Sequence, residues 1–239
     1  GEVVEQAVGQ RMIRAYQLPI ETGRADTTSV SVWHEDAGEE ALLRLGKSKD
    51  HRPDLRQFIQ VLGTLDPGGI PLATSTLPGN RADDTIYWPI WQRMTRIVGR
   101  PDWLYVGDSK LHSAENLSRI HRAGGCFLTP IPMKGHVPEE FADWLKSAPQ
   151  KPRPVRLPDE EGKMRIVGHG FEVQREVTWI DPETKEKVVV PERVFVVRRE
   201  SFRKKQIHVF RERLDRAEQE LNALSGQRVE KPEEFQSAL

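Results

Sequence analysis

Only one cysteine, Cys126, stands among the 239 residues, so no disulfide can form within the chain, and the usage fits a reducing cytosol. No apolar run approaches the ~18 residues that a membrane span needs. There is no excess of either charge, with 36 basic against 36 acidic side chains, so net charge does not advertise nucleic acid. Any such binding must come from local patches. The first residues, GEVVEQAVGQRM, lack the basic and apolar regions of a signal peptide, and they lack an initiator Met, as expected of a piece cut from something longer. The seven histidines never fall at a His-Glu-x-x-His spacing, which argues against zinc. No Gly-rich loop ending in Lys-Ser/Thr appears, which argues against nucleotide hydrolysis.

The composition, 37% apolar and 30% charged, is that of a soluble globular chain long enough to bury a core. Residues 1–15 are weakly helical in pattern. From there the texture alternates: Val30 and Val32 with Ser29 and Ser31, a period-two strand signature. QFIQVLGTL and IPLATSTL read as two more strands joined by the turn DPGG, so an antiparallel meander with tight turns is expected. Ile86, Ile90, Met94 and Ile97 then share one helix face, with Asp83 or Asp84 as cap and Pro89 as a blemish. WLYVGD reads as a buried strand, SAENLSRIHRAGG as a helix capped by Ser113, and CFLTPI as a fifth strand that holds an inert Cys126. Meander first and crossovers after is the opening of an α/β, ribonuclease H-like core, a mixed five-stranded sheet ordered 3-2-1-4-5.

Beyond residue 135 the stretch SAPQKPRPVRLPDEEG is linker-like, and two β-rich segments flank DPETK as a hairpin. A long amphipathic helix follows, Phe210, Leu214, Ala217, Leu221 and Leu224 forming a seam that wants a partner surface. The expected division is 1–15 helical segment, 16–135 core, 136–225 β-rich insertion with the helix, and 226–239 tail.

In the order 3-2-1-4-5 the first and fourth strands are neighbours and parallel. Asp26, at the head of the first, and Asp108, at the tail of the fourth, can then approach. Two bare carboxylates that close repel each other, and a divalent cation relieves the conflict. Two such ions can polarise the attacking and leaving oxygens of a phosphodiester together. Each Asp also has an ordinary role open to it: one before TTS caps a turn, and one after a strand caps the next helix. DTTS and GDS faintly resemble motifs of haloacid dehalogenase-type phosphatases. Thr28 stands where that family needs an acid, however, and no acid follows Asp108 until Glu115.

The segments ADTTSVSVW, GKSKDHRPDLRQFIQVLGTLDPGGIPLATSTLPGNRAD and WLYVGDSKLHSAENLSRIHRAGGCFLTPIP resemble the DDE transposases of bacterial insertion sequences, in the IS-four-like group. The resemblance covers residues 16–135 and the rest loosely. It implies DNA transposition: hydrolysis at the element's ends, then strand transfer, with Mg2+ (Mn2+ as substitute) and no covalent protein intermediate. Asp26 and Asp108 match the first two catalytic, metal-binding acids. The implied partners are the element's terminal inverted repeats and target DNA, bound by a homodimer in the bacterial cytoplasm, with no membrane. Lys49, Arg52, Asn80, Arg81 and Lys110 are the candidate DNA contacts. For the basic loop around Lys47 and Arg52, a self-paired solvated surface is the alternative; for Asn80, an ordinary turn. The basic start of the last helix, Arg198 to Arg213, is more simply a solvated face than a DNA contact.

One departure matters. The family's third acid sits in Tyr-x2-Arg-x3-Glu-x6-Lys, and none of Tyr16, Tyr87 or Tyr105 begins that pattern; Glu218 and Glu220 lie on an amphipathic face. The chain is therefore expected to stop before the third acid, which stays unknown, and to bind metal weakly and catalyse poorly or not at all alone. The alternative is a catalytically dead, truncated remnant that folds and at most binds DNA.

Overall fold

The computed structural model describes residues 1–33, 42–47, 52–181 and 184–225. The chain divides into two compact units, Gly1–Phe141 with Glu176–Glu192, and Ala142–Arg175 with the described chain from Arg193 onward. It is a mixed α/β protein. The expected tail, 226–239, lies outside the described residues.

The first unit is built on a mixed sheet. Its strands are β1 (Thr22–Val32), β2 (Arg44–Leu45), β3 (Arg56–Asp66), β4 (Ile70–Pro78), β5 (Leu104–Val106) and β6 (Cys126–Leu128). The long strands and the parallel pair run β4-β3-β1-β5-β6. β1 and β4 flank β3 antiparallel, and β5 lies parallel to both β1 and β6. A sixth strand, β2, pairs with the start of β3, so the sheet is not five-stranded. The turn at DPGG is the tight one expected, with both of its glycines at positive φ. No tight turn joins β1 to β3; the long connection that carries β2 does.

Helices α1 (Glu2–Tyr16), α2 (Tyr87–Val98) and α3 (Ala114–Arg122) belong to this unit. Ile86, Ile90, Met94 and Ile97 are all buried, as their spacing predicts. Pro89 is harmless because it sits in the first turn, whose N–H groups have no partner within the helix. Asp83 and Asp84 do not cap α2: they form a 3-10 turn before it, and Ile86 occupies the cap position. Ser113 does cap α3, its Oγ accepting from Asn116 N at 3.2 Å.

The alternation at the end of β1 runs opposite to simple expectation: Ser29 is buried while Val30 is exposed. The inward face of β1 carries Gly23, Ala25, Thr27 and Ser29 because large neighbours fill the space. A Cβ on Gly23 would lie 2.8 Å from Met94 and 3.0 Å from Trp103. Asp26 accordingly sits mid-strand on the outward face, not at the strand's head. Cys126 is exposed, because β6 ends the sheet.

Two further expectations are corrected. Within the linker-like stretch, Arg153–Pro158 forms β7, antiparallel to β8 (Met164–Ile180), and β9 (Lys187–Arg199) completes the three-stranded sheet. Helix α4 (Val137–Lys146) was not foreseen. The hairpin of β8 and β9 forms as read, and its tip is held in the first unit where Arg122 pairs with buried Asp181 at 3.3 Å and with Glu186 at 2.9 Å. Helix α5 (Glu200–Ser225) follows β9 directly. Among the described residues no helix is long and apolar enough to cross a membrane.

Candidate active site

The parallel register pairs Thr22 with Leu104, Gly23 with Tyr105 and Arg24 with Val106. That ladder ends there; carried two residues further, the same offset would set Asp26 across from Asp108, neighbouring strands being ~4.8 Å apart. Both residues are exposed. Asp26 Oδ1 accepts from Thr27 N at 2.7 Å. Asp108 is held by four hydrogen bonds: Lys110 N and Tyr87 OH donate to Oδ1 at 2.7 and 2.6 Å, and Thr129 Oγ1 and Leu111 N donate to its carbonyl at 2.6 and 3.1 Å. Among the described residues both side-chain bonds therefore fall on Oδ1, and Oδ2 has no donor.

Tyr87 is the brace. It begins α2, is buried, meets Tyr105 edge-on at 6.3 Å, and its carbonyl accepts from Tyr105 OH at 3.2 Å. Burial raises its hydroxyl well above the ordinary tyrosine range, and the hydrogen bond to Asp108 raises it further, as do the charges of Asp108 and Asp26. One hydroxyl thus feels both carboxylates and stays a donor. Tyr87 entered the sequence reading only as a tyrosine that begins no motif; its partner lies 21 residues on, and no local pattern marks the pair.

Beside the carboxylates opens a cleft of about 680 Å³. The residues following each acid, Thr27 to Ser29 and Ser109 to Lys110, contribute to its wall. So do Asn80, Arg81 and Lys110 among the expected DNA contacts, with Lys47, His112 and Lys134 beside them and Asp84 the one acid among the described lining residues. Four cationic side chains from four separate segments face one cavity. Lys134 and His112 were missed because nothing in their own neighbourhood is unusual.

Tight backbone contact joins two of those segments. A Cβ on Gly46 would lie 2.1 Å from Gly79 O, and one on Gly79 would lie 2.0 Å from Gln57 O. Buried Gln57 donates from Nε2 to Gly79 O at 2.8 Å, and Gly79 N donates to Leu42 O at 3.2 Å. Only glycine fits at these two positions, so the loop before Lys47 and the turn before Asn80 form one wall.

Arg52 does not line the cleft. Its guanidinium pairs with Asp54 at 2.9 and 2.7 Å and lies over the exposed ring of Trp33, 5.7 Å from its centroid. This is the self-paired surface weighed as the alternative for that loop. Lys49 lies outside the described residues. Unlike Trp33, Trp91 and Trp103 are buried, and Trp88 stacks on Trp91 at 5.1 Å.

The fold and the site define a mixed α/β domain with a cationic cleft. No protein-family model matches the chain, and no curated protein matches it.

Proposed function

We propose that this chain is the catalytic-core part of a DDE transposase, acting on the ends of an insertion sequence, with Asp26 and Asp108 as two of its acids. The reading is supported by the parallel register of β1 and β5, which extended by two residues would bring Asp26 and Asp108 together, in a sheet ordered β4-β3-β1-β5-β6. That order, with its antiparallel and parallel pairs, is the one a ribonuclease H-like core is built on. Two exposed carboxylates, one on β1 and one just past β5, the latter with an oxygen that has no donor among the described residues, are hard oxygen ligands that suit Mg2+ or Mn2+. When bound, such an ion supplies Lewis-acid polarisation of the phosphodiester and a more acidic attacking hydroxyl.

The chain's own residues do the rest. Tyr87 OH and the Lys110 amide fix the plane of the Asp108 carboxylate. Lys47, Arg81, Lys110 and Lys134 offset phosphate charge in the cleft, and Asn80 offers a polar edge to a sugar or base. The proposed setting is a dimer on DNA in the bacterial cytoplasm. A second reading, a remnant that binds DNA without cutting it, is favoured by one observation: among the described residues no group of three His, Cys, Asp or Glu stands where it could hold a metal.

Duplex DNA binding tests the cleft. Affinity should fall steeply with salt, the logarithmic slope losing about one unit for each of Lys47, Arg81, Lys110 and Lys134 changed to Ala. A slope unchanged by all four substitutions would overturn the assignment. The brace has its own test. Tyr87→Phe should weaken Mn2+ binding by about tenfold or more, as loss of an orienting partner does. Electron paramagnetic resonance of the free ion would read this. Equal affinity in the variant would reduce Tyr87 to a packing residue.

A further inference from the structure

Helix α5 carries an apolar stripe that is bare along its length. Ile207, Phe210, Leu214 and Leu221 are 38, 62, 53 and 65% exposed. Ile207, Leu214 and Leu221 recur every seven residues; Phe210 and Ala217 recur likewise, three places on, and the sequence continues the spacing to Leu224. That is the a and d pattern of a coiled coil, about two and a half heptads long. A long helix with no buried side chain among the described residues from Glu200 to Ala223 draws little stability from propensity alone. Such a seam calls for a second helix.

We propose that the partner is a second copy of this chain, the two α5 helices running parallel and in register. The flanking charges favour that occupant. In such a pair the g residue of one helix faces the e residue five places on in the other. Arg213 therefore faces Glu218 of the second copy, twice by symmetry. The remaining g–e pairs, Gln206 with Arg211 and Glu220 with Ser225, bring no like charges together. Ile at the first a position is the β-branched choice that favours two strands. The pairing does not depend on what the cleft does.

Sedimentation of the whole chain over a wide concentration range should show reversible dimers of the 27.4 kDa chain. Leu214→Glu with Leu221→Glu should leave monomers whose near-ultraviolet circular dichroism, dominated by the tryptophans of the first unit, is unchanged. Arg213→Glu should weaken the dimer by roughly tenfold, and adding Glu218→Arg should restore it. That rescue also serves if the double glutamate variant misfolds. In a Cys126→Ser background, Ile207→Cys should oxidise to a covalent dimer, because only parallel strands bring the two 207 positions together. A wild-type chain that stays monomeric overturns the proposal, as does a dimer that survives the seam variants. Absence of the 207 cross-link in a dimer that the seam variants abolish overturns the parallel arrangement.

Discussion

Asp108→Asn is expected to remove divalent-ion binding, with at least a 100-fold loss of Mn2+ affinity in this chain, if the proposed function holds. The substitution is chosen for what it keeps. Oδ1 survives, so the bonds from Tyr87 OH at 2.6 Å and Lys110 N at 2.7 Å can persist. Only the charge and the open oxygen go. Alanine at the same position would leave the buried Tyr87 hydroxyl without its acceptor, at a cost of about 1–3 kcal/mol, and would mix a folding effect with a functional one. Asp26→Asn should behave like Asp108→Asn, since both would donate to one ion. Calorimetric titration with Mn2+ separates the outcomes. If Asp108→Asn binds as tightly as the parent, the two-carboxylate site is wrong, whatever the DNA affinity of the cleft.

Trp103→Ala should destabilise the fold by about 3–5 kcal/mol, the range for deleting a large buried aromatic. Trp103 is fully buried at the entrance to β5, 6.3 Å from the ring of Trp91 and 5.2 Å edge-on from Tyr105, and its Nε1 donates to Thr95 Oγ1 at 3.1 Å. Removing it hollows the space between α2 and the inward face of β1 and strands the Thr95 hydroxyl. Trp33→Ala is the control, because Trp33 is 79% exposed and its loss should stay within about 0.5 kcal/mol. Urea unfolding with an unchanged slope would read both. Since Asp108 lies two residues past the end of β5, Trp103→Ala should weaken Mn2+ binding as well, and Trp33→Ala should not. Similar midpoints for the two variants would mean that this aromatic cluster is not the core of the first unit.

Local pattern went far. The face of α2, the Ser113 cap, the DPGG turn and the β8–β9 hairpin were legible because each depends on residues within a few positions of one another. The order of strands was also legible, because two antiparallel connections followed by two helical crossovers leave few right-handed arrangements. Asp26 and Asp108 were singled out as a candidate pair from that order and from the family resemblance. Less was legible where a segment's fate depends on distant chain. Arg153–Pro158, rich in proline and arginine, looked like a linker and became a strand because β8 offered it an edge. Ser29 turned inward against the apolar pattern, and at that end of β1 the inner face lines the polar cleft.

The sequence by itself, then, determined the helical faces, the caps and turns, and the two carboxylates worth watching. Only tertiary structure decided that Tyr87 braces Asp108, that Gly46 meets Gly79, and that cations from four segments share one cleft while Arg52 turns to Asp54 instead. The division has a physical cause. Short-range preferences are set by backbone geometry and solvation of neighbouring residues, whereas a hydrogen bond across 21 residues, or charge gathered at a surface, is settled by which side chains the packed core leaves within reach.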